Sequence, residues 1–273
     1  MKIGLNQWCF GDWVGLAHVF AACQRAGVDG VELNLQEAGG DELTMDSTPS
    51  DVREIARRAH AAGLELKSLA TGLLWNFPLS APQPEVRQKA RTIVHRQLEI
   101  ASWLEMDAVL VVPGVVTAEV PYDECYERSL AELEALAGEA QRRGVKIAIE
   151  NVWNKFLLSP LEMKAYVDTI GSAWVGVYLD VGNVLAFGFP EQWIRILGPR
   201  ICKVHVKDYA QSVGNIHGFV PLWAGDVNWP QVLEALRGIG YDDYLTAECT
   251  PYRYGGTQVA DDVARQLRRI LQL

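Results

Sequence analysis

Apolar residues along this chain fall into short runs, each followed by a longer stretch in which they recur at helical spacing, and the alternation holds from end to end. Strands are predicted at Ile3–Trp8, Gly30–Leu35, Glu65–Thr71, Ala108–Pro113, Lys146–Val152, Val175–Val181, Cys202–Asp208 and Tyr244–Cys249. Between them the spacing predicts helices over Leu16–Ala26, Asp51–Ala62, Glu85–Leu104, Tyr122–Arg143, Pro160–Ile170, Glu191–Leu197, Pro230–Ile239 and Ala260–Leu271. Start and stop signals agree. Ser159-Pro160-Leu161-Glu162 has the form of a capping box with proline at the first helical position. Gly27, Gly63, Gly144 and Gly240 each follow a helical run, where a left-handed terminating residue is expected.

RAGVDGVEL, AAGLELKSL, RRGVKIAIE and GIGYDDYLTAE share one grammar of helix end, glycine, short loop and strand, which makes a weak internal repeat. Nearly continuous apolar strands separated by helices point to a parallel sheet covered on its outer face. The expectation is an α/β fold, a single (β/α)8 TIM barrel over residues 1–273. A doubly wound open sheet is the alternative, but no GxGxxG follows an early strand, and no linker or composition shift marks a second domain.

The run KIAIENVWN changes the picture, because its apolar strand ends in a glutamate with no turn residue to announce the surface. A carboxylate that close to a core is costly unless something pairs with it. VGVYLDVGN, KVHVKD and YLTAEC repeat the event, so consecutive strands present Glu150, Asp180, His205 and Glu248 to the barrel mouth where chemistry gathers. Three crowded carboxylates retain protons unless a cation neutralises them. Oxygen-rich ligation with one imidazole suits Mn²⁺ or Mg²⁺ and tolerates Co²⁺ or Zn²⁺, so one divalent metal ion is expected on these four residues. Taken singly, a strand-end carboxylate is more often a loop cap, and a histidine after an apolar run a hydrogen-bonded core residue; the joint pattern carries the reading.

Composition adds exclusions. With 49% hydrophobic and 22% charged residues the chain is an ordinary globular one. A net charge of −9 without a basic block argues against nucleic-acid binding. The five cysteines, Cys9, Cys23, Cys125, Cys202 and Cys249, are scattered and lack CxxC spacing, which suggests reduced thiols in a cytoplasmic protein. The start MKIGLNQW lacks the apolar region and cleavage site of a signal peptide, and no apolar run reaches the ~18 residues of a membrane span.

IAIENV, YLDVGN, KVHVKD and YLTAE resemble the metal-binding strand ends of the xylose-isomerase-like sugar phosphate isomerase/epimerase superfamily, which includes ketose 3-epimerases of the tagatose-epimerase type. The likeness is sharpest from about Lys146 to Thr250. AGDVNW resembles the family's loop after strand seven, and DVGNVLAFGFPEQWI with VHVKD resembles hexulose-phosphate isomerases. The resemblance implies a TIM barrel whose four ligands hold one divalent ion, with Glu150 and Glu248 also exchanging protons with the substrate. Many relatives carry a histidine three residues after the aspartate, and free-ketose epimerases often carry an arginine six residues after the metal-binding histidine; here those positions are Asn183 and Gln211. The loss of that arginine leans the expectation toward a sugar phosphate.

The chemistry such residues serve is proton removal beside a carbonyl, through an enediolate stabilised by the metal as a Lewis acid, with glutamates acting as base and acid in turn. Trp8, Trp75, Trp153, Asn183 and Lys207 fall at or beyond strand ends and are candidate substrate contacts, the tryptophans equally readable as barrel packing or a lid. Lys207, Lys155 and Arg253 are candidate cations for a phosphate, and Lys207 with Asp208 reads alternatively as a simple pair. His217 lies in the Gly-rich SVGNIHGF loop, either facing solvent or closing over a ligand. The expected partner is a small-molecule sugar or sugar phosphate, with no nucleic acid and no membrane; the sequence is compatible with a homo-oligomer. The main rival activity is a dehydratase of an inosose- or dehydroshikimate-like substrate. A barrel that only binds is a further rival. A DNA-repair endonuclease of the same superfamily would require extra histidines at earlier strand ends, which VELNL, SLAT and VVPG lack.

Overall fold

Parallel strands close on themselves in the computed structural model, which describes residues 1–40 and 42–273. In chain order the elements are β1 (Lys2–Asn6), α1 (Leu16–Ala26), β2 (Gly30–Asn34), α2 (Pro49–Ala61), β3 (Ser68–Ala70), the short α3 (Leu73–Asn76), α4 (Pro84–Trp103), β4 (Ala108–Val111), α5 (Tyr122–Arg143), β5 (Lys146–Glu150) and α6 (Pro160–Ile170). There follow β6 (Val175–Asp180), the one-turn α7 (Val181–Val184), α8 (Pro190–Leu197), β7 (Ile201–Val206), β8 (Asp208–Tyr209), β9 (Phe219–Val220), α9 (Trp229–Gly238), β10 (Tyr244–Ala247) and α10 (Gln258–Leu271). The barrel order is β1-β10-β7-β6-β5-β4-β3-β2, closed by parallel pairing of β1 with both β10 and β2.

All eight expected strands form, and each stops one or two residues earlier than the apolar run suggests. Residues beyond those ends, such as Asn151 and Glu248, have left the ladder to build the mouth. The helices follow the expected spans closely; α1, α5 and α6 match residue for residue. Gly27, Gly63, Gly144 and Gly240 all adopt positive φ, between 68° and 75°. The capping box at α6 is half made: Ser159 accepts from the Glu162 amide, while the Glu162 carboxylate instead accepts from Leu158 N and the Tyr122 hydroxyl. The SVGNIHGF loop is a flap rather than a formless turn, because β8 and β9 pair antiparallel at its base.

Two layers of polar side chains interrupt the apolar barrel interior. At the N-terminal end the buried Lys203 ammonium reaches Asp107 at 2.7 Å and Asp243 at 2.5 Å. One layer higher, Glu32 on β2 meets Tyr178 on β6 and His205 on β7, strands that are not neighbours, so these side chains cross the barrel axis. Side chains on a strand alternate with period two, so Lys203, His205 and Lys207 climb the same inner face.

The register between β6 and β7 slips after Val177, and this puts Asp180 directly opposite His205. Gly176 makes the slip possible, since a Cβ there would stand 2.2 Å from Cys202 Sγ and 2.7 Å from the Arg200 carbonyl oxygen. Gly144, by contrast, has open space around the place of a Cβ, and its φ of 68° is its only demand. Replacing Gly144 by alanine is therefore expected to cost about 1–2 kcal/mol, the strain of a left-handed residue. Gly176→Ala should cost more, about 3 kcal/mol or loss of folding, because rigid backbone must move. Denaturant unfolding of both variants checks the order, and equal losses would contradict it.

Candidate metal centre

Each candidate ligand stands at a strand end because the strand delivers it there. Glu150 is the last residue of β5 and Asp180 the last of β6; His205 is the penultimate residue of β7, and Glu248 follows β10 with its amide still bonded to the Val206 carbonyl. One donor atom from each lies within 4.8 Å of every other. Ligands on opposite sides of a small divalent ion stand about 4.2 Å apart, so the set needs only a slight contraction to hold one. Asp180 Oδ2 is fully buried and accepts no hydrogen bond, although the Lys207 ammonium stands 3.2 Å from it as an ion pair. A buried carboxylate oxygen that accepts no hydrogen bond and lies among three other donors fits a cation.

The supports are as specific as the ligands. His205 Nδ1 faces Glu150 Oε1 at 3.1 Å and Glu248 Oε2 at 3.2 Å, while Nε2 meets Glu32 Oε2 at 2.5 Å. Glu32 in turn accepts from Asn6 Nδ2 and, at 2.8 Å, from the Tyr178 hydroxyl. A carboxylate behind an imidazole fixes its orientation and leaves the other nitrogen for a metal. Glu32 was not among the residues singled out from the sequence, although GVELN holds a lone acid in an otherwise apolar strand.

Asn151 and Asn183 lock two strand ends together. Asn151 donates to the Asp180 carbonyl and accepts from the Asp180 amide; Asn183 Nδ2 donates to the Asn151 carbonyl, and its own amide donates to Asp180 Oδ1. Asn183 thus reaches this centre as a brace for ligands, with its amide group turned to the backbone. Trp153 donates from Nε1 to the Asn183 carbonyl and packs edge-on against Tyr209 and against the flap residue Phe219.

The other expected contacts separate. Trp8 lines a cavity of about 670 Å³ over the β1–β3 side of the mouth, with Gln7, Asn34 and Asn76. Trp75 is 44% exposed beside it, and His217 is exposed on the flap. Arg253 is exposed and borders a groove of about 310 Å³ with Phe219 and Cys249. Lys155 is exposed in a left-handed conformation. The alternative pairing of Lys207 with Asp208 does not form: Asp208 is buried and accepts from the amides of Tyr209, Trp223 and Val227. Lys207 instead meets Glu248 and Asp180. Gln211 donates from its side chain to the Leu185 carbonyl.

Burial raises the Glu150 carboxyl to about 7, with the Glu248 charge adding to it and His205 opposing. Burial pushes Asp180 upward too, against the pull of Lys207. Glu248 goes the other way, to about 2, because Lys207 and His205 outweigh its desolvation. Burial alone would lower the His205 imidazole, but Glu32 and the two glutamates at Nδ1 hold it protonated well above its ordinary range.

A family profile described as xylose isomerase-like TIM barrel matches residues 20–271. The chain is similar to the putative L-ribulose-5-phosphate 3-epimerase SgbU of Escherichia coli (strain K12), at 26% identity over 220 residues, covering 79% of this chain and 77% of that one. It is also similar to the 2-epi-5-epi-valiolone 7-phosphate 2-epimerase of Actinoplanes sp. (strain ATCC 31044 / CBS 674.73 / SE50/110), at 28% identity over 239 residues, 87% of this chain and 82% of that one. The crystal structure of the IOLI protein with a zinc atom superposes with a TM-score of 0.83 at 19% identity, covering 100% of this chain and 98% of that one, a likeness of fold. Among the described residues no helix is long and apolar enough to cross a membrane.

The proton states would make the binding of a cation by these residues pH-dependent. Glu150 has a folded-state value above its ordinary 4.5, so between about 4.5 and 7 the folded protein holds a proton that the unfolded chain has lost. In that window Glu150 makes the metal-free fold less stable as pH rises. A cation must displace that proton and the one on His205 Nδ1, so its apparent affinity should climb with pH, at least ~10-fold per unit between about pH 5 and 7. Mn²⁺ titrations of metal-stripped protein across that range test this, and a flat profile would contradict it.

Proposed function

Because the chain belongs to the xylose isomerase-like TIM barrel family, we propose that it is a divalent-metal-dependent epimerase or isomerase of a ketose or ketose phosphate. The observation that carries the reading is the convergence of donor atoms from Glu150, Asp180, His205 and Glu248, all within 4.8 Å of one another. These four residues would hold the ion, with Mn²⁺ or Mg²⁺ suited to three carboxylates and one imidazole. When bound, it supplies Lewis acidity to a carbonyl and the hydroxyl beside it.

The chain's own residues do the rest. Glu150 and Glu248 both approach His205 Nδ1, so their carboxylates border one small volume. Their surroundings pull their proton affinities apart, Glu150 up by burial and Glu248 down by Lys207 and His205. Two carboxyl groups separated in this way are suited to acid and base roles at neutral pH. One removes the proton from the carbon beside the carbonyl, giving an enediolate, and the other returns a proton to the same carbon on the opposite face or to its neighbour. Glu32 keeps the imidazole in orientation, and the Asn151–Asn183 brace keeps Asp180 from turning away. The polar cavity beside Trp8 offers room for the remainder of a sugar chain.

A phosphorylated substrate is favoured, supported by relatives whose names specify ribulose and valiolone phosphates and by Gln211 at the position of the expected arginine. A kcat/KM higher for a ketose phosphate than for the free ketose is the expected outcome. A clear preference for the free sugar would overturn that part.

Turnover in D₂O tests the chemical step. Deuterium should enter product, and recovered substrate when the reaction reverses, at the carbon beside the carbonyl. Glu150→Gln and Glu248→Gln should each lose at least ~10²-fold in rate as general acid–base assistance goes. Metal content must be measured in the same samples, because Gln is a poorer ligand. A metal-loaded variant exchanging deuterium at the wild-type rate removes that glutamate from the mechanism. A product lighter by one water would instead identify the dehydratase.

A further inference from the structure

Lys207 is the cation that touches the candidate ligands. Its ammonium lies 3.0 Å from Glu248 Oε2 and 3.2 Å from Asp180 Oδ2, and among the described residues no other lysine or arginine pairs with a ligand carboxylate. The position is built. A Cβ on Gly182 would stand 2.5 Å from Lys207 Cγ and 2.7 Å from its carbonyl oxygen, so the first turn of α7 leaves exactly the space of a missing side chain for the lysine stem. From the other side the Phe219 ring of the flap stands 5.0 Å from the ammonium. The side chain is 12% exposed, and its two carboxylate partners leave it little surface for a phosphate.

Charge explains why a lysine is there. Glu150, Asp180 and Glu248 bring three negative charges into a buried volume, and a divalent ion answers two of them. The third requires another cation within a few ångströms, since an unpaired buried charge is strongly unfavourable. Glu32 does not alter the count at the ligands, because it lies behind the imidazole with its oxygens held by His205, Asn6 and Tyr178.

We infer that Lys207 is a built-in third cation of the centre, sharing Asp180 and Glu248 with the divalent ion and lowering that ion's affinity by repulsion. The inference rests on the metal-dependent reading above. It assigns Lys207 to charge balance at the ligands, in place of the phosphate role that its sequence position suggested. Without the divalent ion the ammonium holds two ligand carboxylates together; with it, the two cations repel across the same oxygens.

Mn²⁺ titration of metal-stripped protein, read by the EPR signal of the free ion, tests this in wild type, Lys207→Met, Lys207→Gln and Lys207→Arg. Both neutral variants should bind Mn²⁺ at least ~10-fold more tightly, because a like charge close to the ion is gone. The arginine variant, which retains the charge, should stay within about threefold of wild type. A merely structural lysine predicts the opposite sign, since loosening the site weakens binding. Circular dichroism identifies folded variants, and either neutral substitution decides the matter alone. Unchanged or weaker binding in a folded neutral variant, with wild type binding one ion, overturns the role of Lys207. A wild-type protein that binds no ion brings down the metal reading itself, and this inference with it.

Discussion

An imidazole buried between carboxylates is the constraint from which the interior of this barrel follows. His205 has Glu32 against one ring nitrogen and both Glu150 and Glu248 against the other, all at the barrel axis. Such a cluster is tolerable only if every charge has partners, because breaking a buried pair leaves an uncompensated ion worth several kcal/mol. Asn6 and the Tyr178 hydroxyl complete the hydrogen bonding of Glu32, and the Tyr178 ring packs 4.3 Å from the imidazole. Below, Lys203 closes the barrel floor with Asp107 and Asp243. Polar residues thus form a column along the axis, and the apolar packing that drives folding lies between the sheet and its ring of helices.

That arrangement ties the backbone to the chemistry. The register slip at Val177 sets Asp180 opposite His205, and Gly176 permits it. Asn151 then clasps both the amide and the carbonyl of Asp180, so adjacent strand ends move as one unit. Ligands mounted on strand ends and braced by backbone bonds hold their geometry better than ligands on loops. The flap between β8 and β9 exposes polar and apolar residues to solvent, while Phe219 and Tyr209 anchor inward against Trp153 and Gln211 bonds to the Leu185 carbonyl.

Much of this was legible in the sequence because a barrel writes its plan locally. Each barrel strand and long helix announces itself within its own stretch of sequence, and the four candidate ligands sit where an apolar run stops, a position visible without tertiary contacts. Glu32 escaped notice because it lies inside its strand, before the apolar run has ended, and the partner that explains it is 173 residues away. Lys207 was recognised as a residue of interest, yet its role depends on distances to Asp180 and Glu248 that spacing cannot supply. The β8–β9 ladder has two residues a side, too few for periodicity to register, and so read as a glycine-rich loop. Asn183 sat at a strand end, as a substrate contact would, but the amide turned toward the Asn151 backbone.

On the metal-dependent reading, lysine and arginine at position 207 differ in geometry and not in charge. A guanidinium is a rigid planar fork that holds a carboxylate through paired hydrogen bonds, and the fork favours permanence. An ammonium is a point charge on a flexible stem, able to shift its position while its charge remains nearby. The stem here passes close to Gly182, and the ammonium at its tip lies beside Asp180 and Glu248 with the Phe219 ring 5.0 Å away. The ligands stay on the rigid strands, and the movable charge sits next to them. On the metal-dependent reading, a cation beside the candidate ligands keeps three bare carboxylates from repelling each other before any ion arrives.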